Sequence, residues 1–130
     1  MRGGRLLLAA VAVAVAACGS TYGTESVARA TLDDLVARHY VDVHSRFSPY
    51  AARVIPTQRI QLVWGEVLTS FGTYRSAGPP LRFTVSNNAG FDYPLRFTKG
   101  FAHLQITVDH LGRVTGIVVR EGAPTGRFGV

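Results

Sequence analysis

The chain has 130 residues, with 14 Lys and Arg against 8 Asp and Glu, and a single cysteine. That length suits one domain, and a lone cysteine excludes an internal disulfide, so the hydrophobic core must hold the fold. The basic residues are scattered, with no run of like charge and no Arg/aromatic stripe, which argues against nucleic acid as a partner.

The N-terminus carries Arg2 and Arg5, an apolar run from Leu6 to Ala17, and the box Val15-Ala16-Ala17-Cys18. A basic start, a short apolar stretch and small residues before a cleavage point form a secretory signal. The apolar run is 12 residues, too short for the roughly 20 that a bilayer core requires. A cysteine directly after the small residues predicts bacterial lipoprotein processing, with Cys18 as the new N-terminus and the carrier of the lipid. The expected location is the extracytoplasmic face of the cell membrane. Lipidation would occupy the only thiol and exclude thiol chemistry. Removing residues 1–17 from the 130 leaves 113, and the loss of Arg2 and Arg5 leaves a balance of about +4. A mildly positive domain suits an anionic membrane surface.

Residues 18–26 are polar and rich in Gly, Ser and Thr, and read as a tether. A domain over 27–121 and a loose tail over 122–130 follow. Thr31 with Asp34 three residues on suggests a capping box. From there Leu32, Leu35, Val36, His39, Tyr40, Val43 and Phe47 recur at spacings of three and four, one helix face, with a break expected around Asp42–Ser45. Ser48-Pro49 ends that helix. Pro56-Thr57 opens a second, in which Ile60, Val63, Trp64, Val67, Leu68 and Phe71 line one face, and Gly72 supplies the stop.

After Gly72 the period changes to two. Leu81, Phe83 and Val85 alternate with polar residues. So do Phe91, Tyr93, Leu95 and Phe97, then Ala102, Leu104, Ile106 and Val108, and Val114–Val119 adds a fourth strand. Pro94 lacks an N–H, so its strand must be partly an edge or bulged there. Lys99-Gly100 reads as a two-residue hairpin loop, setting Phe97 opposite Ala102 and Tyr93 opposite Ile106. Asp109 to Arg113 reads as a loop with a left-handed Gly112, pairing Asp109 with Arg113 and Val108 with Val114. Both turns expose the same apolar face, which only the helices can cover. The predicted class is α+β, with N-terminal helices on one face of a curved antiparallel sheet of about four strands.

Phe47-Ser48-Pro49, Trp64 with Gly72, Leu95-Arg96-Phe97-Thr98-Lys99-Gly100, and Val108-Asp109-His110-Leu111-Gly112-Arg113-Val114-Thr115-Gly116 together resemble a bacterial family, domain of unknown function 3887. The resemblance covers roughly residues 28–121 and rests on turns and core anchors. It implies a nuclear transport factor 2-like cone, here as a stand-alone lipoprotein. The family has no established catalytic residues, so the resemblance implies none in this chain.

Trp64 is either the anchor of the helix–sheet core or the wall of an apolar pocket. Tyr40, Trp64, Phe71, Tyr93, Leu95 and Phe97 are the candidate pocket lining, with the Tyr93 hydroxyl, helped by Tyr40, as the polar group able to orient a ligand. His103, expected opposite Arg96, shares the polar sheet face with Asp92 and Thr107, away from such a pocket. His39 and His44 are five apart, off a common helix face, so no metal site is expected, and no cofactor. No G-x-S-x-G elbow and no phosphate loop occurs.

The expected function is a non-enzymatic envelope lipoprotein module that binds a partner protein or an apolar small molecule. The alternative is an enzyme of the ketosteroid-isomerase-like kind, using a carboxylate or histidine inside the cone. A purely structural role is a third reading. Pairing of two copies through the open sheet face is expected to use Ile117 and Val119.

Overall fold

A computed structural model describes residues 19–122. The signal, Cys18 and residues 123–130 lie outside the described residues. Helices α1 (Gly19–Val36), α2 (Tyr40–Ser45), α3 (Pro49–Val54) and α4 (Thr57–Phe71) precede strands β1 (Tyr74–Ala77), β2 (Leu81–Val85), β3 (Asn88–Phe97), β4 (Gly100–Val108) and β5 (Val114–Glu121). No helix among the described residues is long and apolar enough to cross a membrane.

The segment expected as a tether is helical from Gly19. Packing rather than propensity explains this. Ala28, Leu32 and Leu35 are buried, and Glu25 pairs with Arg82 of β2. Tertiary contacts of this kind supply most helix stability in proteins. Thr31 is therefore no cap. It lies deep in α1, fully buried, and its hydroxyl donates to the Val27 carbonyl at 2.7 Å, the back-bond that satisfies a mid-helix threonine.

The helix breaks at residues 37–39, earlier than the spacing suggested, because Arg38 takes the left-handed conformation at φ 66°. Arg46 then ties α2 back to α1 through Asp34 at 2.6 Å. Ser48-Pro49 starts a helix as well as ending one. The Ser48 hydroxyl accepts the Ala51 N–H at 3.2 Å, and Pro49 occupies the first turn of α3, a normal N-cap arrangement. Six residues are too few for a readable periodicity. This corner is sewn to the sheet by Ser48 N–H to the Val114 carbonyl and Val114 N–H to the Arg46 carbonyl, both 2.8 Å.

Helix α4 matches its predicted span and ends at Gly72, φ 88°. A Cβ there would meet the Thr98 hydroxyl at 2.1 Å. Thr98 needs that space, because its hydroxyl accepts the Thr73 N–H at 2.9 Å and clamps the helix end to the β3–β4 hairpin.

The sheet is antiparallel and five-stranded, in order β1-β3-β4-β5, with β2 also on β3. The class is α+β, with the helices on one face of an open, curved sheet. The additional strand, β1, has four residues and no alternation, so nothing marks it locally. Strands β1 and β2 share one edge of β3. The first ends at Ala77 opposite Leu95, and the second starts at Leu81 opposite Asp92. Pro94 falls in the gap, with its carbonyl accepting Gly78 N–H at 2.8 Å on that side. Its missing N–H thus points where no ladder partner is required.

The β3–β4 loop is Thr98-Lys99, one residue earlier than expected. Phe97 faces Gly100, Leu95 faces Ala102 and Tyr93 faces Leu104. The register is shifted by two, which preserves the side-chain parity and the buried face. The β4–β5 turn follows the prediction. Val108 pairs with Val114, Asp109 N–H bonds the Arg113 carbonyl at 2.9 Å, and Gly112 has φ 80°.

Strand β2 departs from its apparent pattern. Leu81, Phe83 and Val85 pair with Asp92, Gly90 and Asn88, so they occupy the face away from the helices. The helix side of β2 carries Arg82 instead, lying over the Phe91 ring at 5.8 Å and paired with Glu25. Phe83 lies flat on Gly90, where a Cβ would come within 2.3 Å of its ring.

Candidate functional site

A cleft of about 170 Å³ opens between α4 and β5. Its buried base is Leu35, Phe47, Ile60 and Trp64, and its exposed or half-buried rim is Ile55, Arg59, Val63, Ile117 and Val119. The i, i+3, i+4 spacing of Ile60, Val63 and Trp64 aims them from one helix face. Ile117 and Val119 come from alternate positions of β5, opposite Ile106 and Leu104. The volume is comparable with the roughly 150 Å³ apolar cavity that accepts benzene. Arg59 is the sole ionisable side chain among the described lining residues, and no carboxylate or histidine stands with it to serve as a general base.

Of the expected pocket residues, only Trp64 lines this cleft. Tyr93, Leu95 and Phe97 are packed in the core at 1 %, 1 % and 4 % exposure. Phe97 sits among Trp64, Phe71 and Tyr74, with ring centroids 5.7–5.9 Å away, the spacing of aromatic packing. Phe71 and Tyr40 are half-buried against the same core. Nor do Ile117 and Val119 lie on the open sheet face, where a pairing surface was expected. They turn toward the helices, and Val118 is the exposed neighbour.

The Tyr93 hydroxyl is buried with no hydrogen-bond partner among the described residues. Burial raises its pKa above the ordinary value, and the nearby Glu25 charge adds to this. It senses Glu25, Arg29, Asp33 and Arg82, on α1 and β2, and is no part of the Trp64 cleft.

Asp92 and His103 share the sheet face away from the helices, as expected. The register moves His103 opposite Pro94 rather than Arg96. His103 Nδ1 lies 2.9 Å from Asp92 Oδ1, and Gln105 donates to Asp92 Oδ2 at 3.0 Å. This is a cross-strand polar cluster on the opposite side of the sheet from Trp64. His44 is committed to the fold, with Nε2 donating to the Ala52 carbonyl at 3.0 Å. Asp34, His39 and Asp42 bring ligand-type atoms within 4.8 Å of one another. Asp34 is already neutralised by Arg46 at 2.6 Å, and His39 and Asp42 are exposed.

Asp109 is built into its turn. Its Oδ1 accepts the Leu111 and Arg113 N–H groups, and its Oδ2 accepts the Arg113 guanidinium at 3.0 Å. Burial alone would raise this carboxyl, but those donors outweigh it and hold the pKa below the ordinary value.

The sequence points to Trp64 and to the helix face that carries it. It does not point to Arg59, Ile55, Ile117 or Val119, because the contact between α4 and β5 joins segments some fifty residues apart. No family model, curated protein or solved structure matches the chain.

Proposed function

We propose that this protein is a non-enzymatic binding module, held at the extracytoplasmic face of the membrane by a lipid on Cys18, whose α4–β5 cleft takes an apolar ligand. The observation that carries the reading is the cleft itself: a benzene-sized space walled by Trp64 and other apolar side chains, with no carboxylate or histidine in its lining. Small-molecule sites are concave, mostly apolar and marked by few polar groups. A ketosteroid-isomerase-like mechanism needs a general base against the substrate. The Asp92–His103 pair lies across the sheet from the cleft, which favours binding over turnover. We also propose kinship with the domain of unknown function 3887 and nuclear transport factor 2-like groups. The left-handed Gly112 turn, the Gly72 stop and the Ser48-Pro49 corner support it.

Trp64 is the single tryptophan of the chain, so its emission reports directly on the cleft. Titration of the full chain with a small apolar compound such as indole-free alkylbenzenes is expected to shift or quench that emission in a saturable way. A panel of ester and ketosteroid substrates is expected to give no turnover. Catalysis abolished by Asp92→Asn or His103→Ala would replace this reading with an enzymatic site on the outer sheet face. For the anchor, metabolic labelling with a radioactive fatty acid is expected to mark the wild type and not Cys18→Ser. An unlabelled wild type would remove the lipoprotein assignment.

A further inference from the structure

We infer that the cleft selects a small monocarboxylate, a phenyl-sized or six-carbon apolar body carrying one anionic head, and that Arg59 is the head-group contact. The inference rests on the cleft being the binding site, and it adds the chemical class of the ligand.

Three observations converge on Arg59. It is the single charged side chain in an otherwise apolar lining, and no carboxylate shares the rim. Its guanidinium makes no ion pair or hydrogen bond among the described residues. It also stands in the first turn of α4, which holds no acidic residue. A helix N-terminus is the end where its own dipole disfavours a cation. An unpaired cation in that position does nothing for the helix, whereas a guanidinium fork at the mouth of an apolar cleft is matched to a carboxylate.

The spacing sets the shape of the ligand. Arg59 and Trp64 are five residues apart, about 7.5 Å along the axis and about 140° around it, so Arg59 reaches the cleft from its rim, beside its i+4 neighbour Val63, while Trp64 forms the base. A head on Arg59 and an apolar body against Trp64 therefore need a short aliphatic link between them. The cleft of about 170 Å³ has room for one ring or an equivalent chain. An exposed guanidinium–carboxylate pair contributes modestly, so the preference for the acid over a neutral isostere is expected to be about three- to fivefold, and to shrink at high salt.

The test follows Trp64 emission in the full 130-residue chain, in detergent-free buffer, titrated with 4-phenylbutyrate and with the neutral 4-phenylbutanol. Wild type is expected to bind the acid three- to fivefold more tightly, Arg59→Gln to bind both equally, and Arg59→Lys to retain part of the preference. Arg59 is exposed, so neither variant disturbs the core, and circular dichroism checks this. Equal binding of both compounds by wild type would overturn the head-group inference and leave the apolar cleft standing. A preference that survives in Arg59→Gln would overturn it too, by placing the cation elsewhere. No response to either compound would sink the cleft reading itself, as would an emission shift that tracks protein concentration without ligand, which would seat a second copy there.

Discussion

Replacing Tyr93 by Phe removes one atom, a hydroxyl buried at 1 % residue exposure with no partner among the described residues. A buried, unsatisfied polar group costs about 1–3 kcal/mol, while the ring that fills the site is unchanged. Part of that gain is offset by the small void left behind, so the net expectation is stabilisation of about 1 kcal/mol. For a domain of this size that is a rise of roughly 4–8 °C in Tm. The pH dependence gives a second readout. Burial raises the Tyr93 pKa in the folded chain, whereas an unfolded tyrosine titrates near 10. Above that pH the unfolded state loses its proton first, so wild-type stability falls as pH rises and Tyr93→Phe is spared this part of the loss. Urea melts at pH 7, 9 and 10.5 should show the variant ahead at neutral pH and further ahead at alkaline pH. A variant less stable than wild type by 1 kcal/mol or more, with a gap that ignores pH, would mean the hydroxyl is satisfied and refute the reasoning.

Three further outcomes test the face assignments and the turn. Trp64→Ala is expected to lose about 3–5 kcal/mol, the usual range for truncating a buried large aromatic, and His103→Ala under about 1 kcal/mol, as for a cross-strand polar pair; urea melts that reverse this order would contradict the placement of the two residues. Gly90→Ala is expected to destabilise, because its Cβ would enter the Phe83 ring, and adding Phe83→Ala should restore most of the loss in a thermal melt. Asp109→Asn is expected to cost about 1.5–3 kcal/mol at pH 7, the range for a hydrogen bond to a charged group. Since the folded carboxyl is held below its unfolded value, that contribution is present above pH ~4 and lost as pH falls further, so acid unfolding curves of the two proteins should converge; a gap that stays constant to pH 2 would count against it.

What could be read from the chain is local. The apolar spacing of Ile60 to Phe71 specifies α4 because an amphipathic helix writes its buried face within a dozen residues. Gly112 specifies its turn because few other residues tolerate φ 80°. The β3–β4 register was legible only modulo two: parity decides which side chains are buried, but the choice between Thr98-Lys99 and Lys99-Gly100 as the loop depends on α4, whose Phe71 carbonyl accepts the Lys99 N–H at 2.7 Å and whose ring crowds Gly100.

The rest was decided by tertiary contact. Residues 19–26 have the composition of a tether and become helix because Glu25 meets Arg82 and the turns beyond bury their apolar side chains. The alternation of Leu81, Phe83 and Val85 is real, but alternation cannot say which face is covered, and on this edge strand Arg82 takes the helix side. The same indeterminacy hid the cleft. Trp64 and Arg59 are visible in the sequence as a core anchor and a surface charge. Only the approach of β5, which brings Ile117 and Val119 across from α4, makes them the base and rim of one site. Local patterning encodes how a segment buries itself; what it buries itself against, and the gap left between, belongs to the packing of distant segments.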